Sequence, residues 1–233
     1  MTTLMLLPGL ACDAALWRDQ WPLLAARGAA QITDVHARHA TLPAMAAALL
    51  AEQPGELVLA GSSMGGMLAL EVVRQAPQRV RGLALLGTTA RPDTPELLAL
   101  RSAAIELFAQ GRVDEVLRAN VMFAFHPRHA GDPALVGDYL AMLHRAGAAQ
   151  LIAQNRAIMA RPDSRPLLAG IRCPTLVLCG DADALTPPEC SHELAASIPG
   201  AELHLVPDCG HLLTWEQPQR VNALLVDWWG RRR

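Results

Sequence analysis

The chain has 233 residues, 52% of them hydrophobic and 18% charged, which is enough apolar material for one large buried core. A net charge of -2 offers no basic field for nucleic acid or an anionic membrane, and no apolar run reaches the roughly 18 residues of a membrane span. The five cysteines (Cys12, Cys173, Cys179, Cys190, Cys209) form no C-x-x-C pair and argue against a disulfide scaffold or zinc site, while all 20 basic residues are arginine, which excludes lysine Schiff-base chemistry.

The chain opens on an apolar run, residues 3–7, predicted as a strand and cut short by Pro8-Gly9, too early and without the basic start of a signal peptide. A helix is expected at 16–27, a strand at 31–35 and a helix at 43–53. A buried strand at 57–60 then runs into Gly61-Ser62-Ser63-Met64-Gly65, followed by a helix at 64–76. A serine between glycines at a strand-to-helix turn is the G-x-S-x-G nucleophile elbow. The turn is so tight that a side chain at either flanking position would collide with strand or helix. A phosphate-cradling turn fits poorly, because a P-loop needs a lysine and a dinucleotide fold needs G-x-G-x-x-G with a carboxylate about 20 residues on.

After a strand at 83–86, the interval 91–168 breaks the alternation. Helices are predicted at 95–110, 113–122, 133–145 and 148–160, punctuated by Gly111, Gly131, Gly147 and Pro162. Strands return at 175–179 and 202–206, with helices at 188–198 and 218–229. Pro43, Pro188 and Pro218 suit the first turn of their helices, where a missing N–H costs little. This order predicts an α/β fold of about six parallel strands with helices on both faces. Residues 1–90 and 169–233 form the core, and 91–168 form a helical cap inserted after the fourth strand.

A serine hydroxyl needs a base, usually a histidine held by a carboxylate. Downstream of the fifth strand, Asp183 is the expected acid, while Asp181 is better suited to capping local backbone donors. His211 follows the last strand and is the expected base, with Gly210 allowing a sharp approach; His204 lies inside that strand. The oxyanion donors are expected to be the N–H of Met64, after the nucleophile, and that of Leu10, where Gly9 lets the backbone turn in. Substrate binding is expected at Met122, Phe123 and Phe125, aromatic-rich in a chain with 4% aromatics, and at Met142 and Trp17. Cap arginines such as Arg118 and Arg156 could grip a substrate carboxylate or an acidic carrier, or simply face solvent.

These elements together resemble the α/β-hydrolase superfamily over essentially the full chain. The residues that carry the likeness are Leu6-Leu7-Pro8-Gly9-Leu10 with Trp17, residues 61–66, residues 173–180 with Asp183, and Gly210-His211. The nearest likeness is to small bacterial esterases and lactonases with a four-helix cap, of the pimeloyl-carrier-protein methyl esterase and 3-oxoadipate enol-lactonase type. The resemblance implies loss of the first two family strands, and Pro8 stands where the family often has histidine. Serine rather than aspartate at position 63 sets the chain apart from haloalkane dehalogenases and epoxide hydrolases. The expected function is therefore cofactor-free and metal-free hydrolysis, in the cytoplasm, of a small ester, thioester or lactone through an acyl-enzyme. The substrate could be carrier-linked, and the protein a monomer or homodimer. Acyltransferases, carbon–carbon hydrolases and low-turnover receptors share the triad and stand as alternatives.

Overall fold

Alternation along the strands sets the layering. In a computed structural model describing residues 2–231, Leu4 and Leu6 of β1 (Thr3–Leu7) join one core cluster, and Met5 and Leu7 join another. The same split recurs in β3 (Leu57–Ser62), β4 (Val80–Leu86) and β5 (Thr175–Gly180), where successive residues pack on opposite faces. Both faces are apolar, so both must be covered. With β2 (Ala30–Ile32) and β6 (Glu202–Val206) at the edges, the strands lie in the order β2-β1-β3-β4-β5-β6, and every pairing is parallel.

Helices α1 (Trp21–Ala25) and α11 (Pro218–Gly230) cover one face. Helices α2 (Val35–Arg38), α3 (Leu42–Glu52), α4 (Met64–Gln75) and α9 (Pro188–Ser197) cover the other. Inserted after β4 are α5 (Pro95–Ala109), α6 (Val113–Ala124), α7 (Pro133–Met159) and the short α8 (Arg165–Leu168). A last short helix, α10 (Leu213–Glu216), precedes α11. Proline falls in the first turn of α3, α5, α7, α9 and α11. Thr41, Thr94 and Asp132 cap α3, α5 and α7 through their side-chain oxygens. No helix among the described residues is long and apolar enough to cross a membrane.

Two expectations change. The helix expected at 16–27 is a 3-10 turn (Ala14–Trp17) followed by α1, because Pro22 lacks an N–H and fits only where a helix begins. The strand expected at 31–35 ends at Ile32, and the Thr33 hydroxyl oxygen accepts the Val35 N–H (3.3 Å) as α2 begins. The helices expected at 133–145 and 148–160 both form, joined within α7 across a sharp break at Gly147, whose φ of 72° and ψ of 169° lie outside helical space.

Candidate active site

The residues expected to do chemistry gather at the C-terminal edge of the sheet, where β3, β5 and β6 end. Ser63 has φ 54° and ψ -117°, a conformation costing on the order of 1–3 kcal/mol for a residue with a side chain. Hydrogen bonds hold it there. Its N–H donates to the Leu86 carbonyl (2.9 Å), and its own carbonyl accepts from Gly66 N (2.9 Å), Met67 N (3.2 Å) and Thr88 Oγ1 (2.7 Å). The flanking glycines are required by contact. A Cβ on Gly61 would lie 2.2 Å from the Gly65 carbonyl oxygen, and one on Gly65 would lie 2.0 Å from that of Leu7. Helix α4 starts at Met64, so its first-turn N–H groups and positive dipole end face the serine.

Asp183 and His211 meet on the other side of the β4 terminus. His211 Nδ1 donates to Asp183 Oδ2 at 2.8 Å, with Oδ1 at 3.0 Å. A Cβ on Gly87 would fall 3.1 Å from Asp183 Oδ2 and 3.4 Å from His211 Nδ1, while the neighbouring Leu86 carbonyl holds the Ser63 N–H. The end of β4 thus borders both the pair and the serine. The carboxylate is saturated: Oδ1 accepts from Leu185 N and Thr186 N, both at 2.9 Å, and Oδ2 from Thr186 Oγ1 at 2.9 Å. Burial opposes ionisation of Asp183, but the His211 charge and these donors outweigh it, so its pKa lies below the usual carboxylate value. Burial likewise opposes the His211 imidazolium, yet Asp183, aided by the charge of Glu216, raises its pKa above 6.5. With Nδ1 engaged, Nε2 is the nitrogen left to take a proton.

Asp181 does what its position suggested, accepting from Asp208 N and Cys209 N, both at 3.2 Å, and so bracing the loop that carries His211. Nearby thiols do not compete as nucleophiles. Burial pushes Cys12 and Cys179 to about 12, and Cys209 higher still.

The loop after β1 is pinned but differs from expectation in one detail. The left-handed residue is Ala11 (φ 57°) rather than Gly9. A Cβ on Gly9 would make ordinary contact, 3.4 Å from Ser63 Cβ and from the Ser62 carbonyl oxygen, which places this loop against the serine. Gly210 is required by a close approach, since a Cβ there would sit 2.4 Å from His126 N. The inserted helices therefore press directly on the histidine loop: the Ala124 carbonyl accepts from His211 N (3.0 Å) and Leu212 N (3.2 Å).

The five expected substrate residues scatter. Trp17, Phe125 and Met142 are sealed in the core, and Met122 and Phe123 are 67% and 54% exposed. Helix periodicity explains the last two. Leu117, Val121 and Ala124 form the buried stripe of α6, which turns positions 122 and 123 outward. Phe125 packs edge-on to Tyr139 with ring centroids 5.2 Å apart. Two buried polar residues went unread in the sequence. The Glu216 carboxylate accepts from Gly210 N, Leu212 N, His126 N and His129 Nδ1 at 2.7–3.2 Å, tying the histidine loop to the insertion. Gln154 contacts the loop after β1. A lone carboxylate after Leu212-Leu213-Thr214-Trp215 was a legible hint for Glu216; Gln154, 143 residues from its partner Ala11, gave none.

Comparison with known proteins identifies the family and the fold. The model of the alpha/beta hydrolase family matches residues 4–224. The chain is 32% identical over 203 residues to the pimeloyl-[acyl-carrier protein] methyl ester esterase of Aromatoleum aromaticum, covering 82% of this chain and 81% of that one. It is 29% identical over 174 residues to a 2-hydroxy-6-oxononadienedioate/2-hydroxy-6-oxononatrienedioate hydrolase of Paraburkholderia xenovorans, covering 72% of this chain and 60% of that one. In several curated relatives the match spans 60–63% of their length. A solved thermophilic esterase from Thermogutta terrifontis superposes with a TM-score of 0.87 at 29% identity, covering 100% of this chain and 90% of that one.

Proposed function

This chain belongs to the alpha/beta hydrolase family, and we propose that it is a serine hydrolase of small carboxylic esters, thioesters or lactones, working through an acyl-enzyme. The observation that carries the reading is a strained serine at φ 54° beside a buried histidine held 2.8 Å from a saturated carboxylate. Ser63 Oγ attacks the substrate carbonyl and passes its proton to His211 Nε2, and Asp183 stabilises the imidazolium. The developing oxyanion takes hydrogen bonds from the N–H groups of Met64 and Leu10. His211 then protonates the leaving alcohol, thiol or ring oxygen. In the second half-reaction it deprotonates the water that releases the acid. The steps use groups of this chain and water.

In this reading residues 91–168 act as a cap over the core formed by 1–90 and 169–233. Of the expected pocket residues, Phe125 borders the histidine loop and Met142 lines a cavity beside Ala11 and Cys12 of the loop after β1. The Aromatoleum relative makes a carrier-linked ester a fair substrate to test, and the Paraburkholderia relative a carbon–carbon bond. The burial of Cys12, Cys179, Cys190 and Cys209 as thiols suits a reducing cytoplasm.

The test is a series of p-nitrophenyl esters, acetate through octanoate, beside a thioester and a lactone. Wild-type protein should turn over at least one, and Ser63→Ala should lose on the order of 10⁴–10⁶-fold in kcat with its melting curve intact. Full activity in Ser63→Ala would sink the proposal.

A further inference from the structure

The loop after β1 is held from outside the core. The Ala11 N–H donates to Gln154 Oε1 at 2.6 Å, Gln154 Nε2 donates to the His36 carbonyl at 2.9 Å, and His36 Nε2 donates to the Cys12 carbonyl at 2.7 Å. Gln154, His36 and Ala11 are 1%, 3% and 1% exposed, so water does not compete for these bonds. A neutral amide suits this position, because one end must accept from an N–H and the other must donate to a carbonyl. Histidine fits for a related reason: burial lowers its pKa, keeping the ring neutral, and the carbonyl of Cys12 requires the proton on Nε2.

Ala11 sits at φ 57°, a conformation that a residue with a Cβ keeps only when its surroundings enforce it. The Gln154 bond fixes the plane of the Leu10–Ala11 peptide and hence the torsion that aims the preceding N–H, that of Leu10. On the far side the loop is closed by Cys12 N donating to the Gly9 carbonyl at 3.2 Å. Gln154 lies on α7 beyond the bend at Gly147, in the inserted helices rather than the core.

We propose that Gln154 is a positioning residue that holds the loop of Leu10, Ala11 and Cys12 in its oxyanion-binding shape, coupling the seating of the inserted helices to transition-state stabilisation. The inference rests on the serine-hydrolase reading above. Removing the amide leaves Ser63, Asp183 and His211 untouched and relaxes one of two oxyanion donors. The loss should therefore fall on kcat and not on substrate binding.

The experiment compares wild type, Gln154→Leu and Gln154→Glu on the best p-nitrophenyl ester, with Ser63→Ala alongside. Glutamate keeps an acceptor for Ala11 N–H but turns a carboxylate toward the His36 carbonyl. Active-site titration with a fluorophosphonate counts competent Ser63, so that kcat is expressed per folded site. Gln154→Leu should lower kcat by roughly 10–100-fold with KM within about threefold, part of the roughly 10²–10³-fold that loss of one oxyanion donor costs. Gln154→Glu should lie between. Affinity for an arylboronic acid, which mimics the tetrahedral state, should fall in step with kcat. A wild-type kcat per titrated site in both variants, or a change in KM alone, would overturn the role of Gln154 while leaving the hydrolase reading in place. Wild-type turnover surviving in Ser63→Ala would instead overturn that reading, and this inference with it.

Discussion

Asp183 determines the pH at which His211 can act as a base. Its charge and hydrogen bond raise the histidine pKa above 6.5 against the pull of burial. A raised pKa means that the neutral, basic form is lost as pH falls through a value above 6.5, so the acid limb of kcat/KM should lie on that side. Asp183→Asn removes the charge and leaves burial in command. The limb should then move to lower pH, while the rate falls on the order of 10⁴-fold through loss of the correct tautomer. A pH–rate profile of both proteins checks this, and an unmoved limb would count against the pairing. At this scale the sequence was most legible. Two glycines around Ser63 pointed to the proposed nucleophile, because backbone crowding permits few residue types there, and position after the fifth strand pointed to Asp183 as its proposed acid. The role of Thr186, whose hydroxyl donates to Asp183 Oδ2, is not legible in the sequence, since a hydroxyl's partner depends on a rotamer.

Short elements carry the loops that bring these side chains together, and α10 shows how. Its Glu216 is fully enclosed and accepts from Gly210 N, Leu212 N, His126 N and His129 Nδ1. Glu216→Ala would strand those donors in a buried site, at about 1–3 kcal/mol each where water cannot reach them. The variant should lose about 3 kcal/mol or more, a fall in Tm of roughly 6–12 °C at this chain length. Its kcat should drop as well, because the backbone on both sides of His211 is released. Differential scanning calorimetry with ester kinetics tests both, and an unchanged Tm would contradict the account. The positions of Met122 and Phe123 belong to this scale too. They are apolar and clustered, yet the i, i+4, i+7 spacing of Leu117, Val121 and Ala124 sets the buried face of α6 and turns both outward. Periodicity outranks composition within a helix.

At the level of the whole molecule, strand alternation and proline-started helices made the six-stranded parallel sheet and its insertion readable in advance. The contacts of the insertion were not readable. Gln154 meets Ala11 across 143 residues and His126 meets Glu216 across 90, and no local pattern encodes such pairs. Through them the inserted helices grip both the loop after β1 and the histidine loop, so the proposed chemistry depends on the two parts seating together. The central claim is that this seating activates one serine. Intact-mass analysis after treatment with a fluorophosphonate, followed by peptide mapping, tests it most directly. The account predicts a single adduct located on Ser63, absent from Ser63→Ala and slowed in Asp183→Asn. Equal labelling of Ser63→Ala, or an adduct on any other residue, would contradict it.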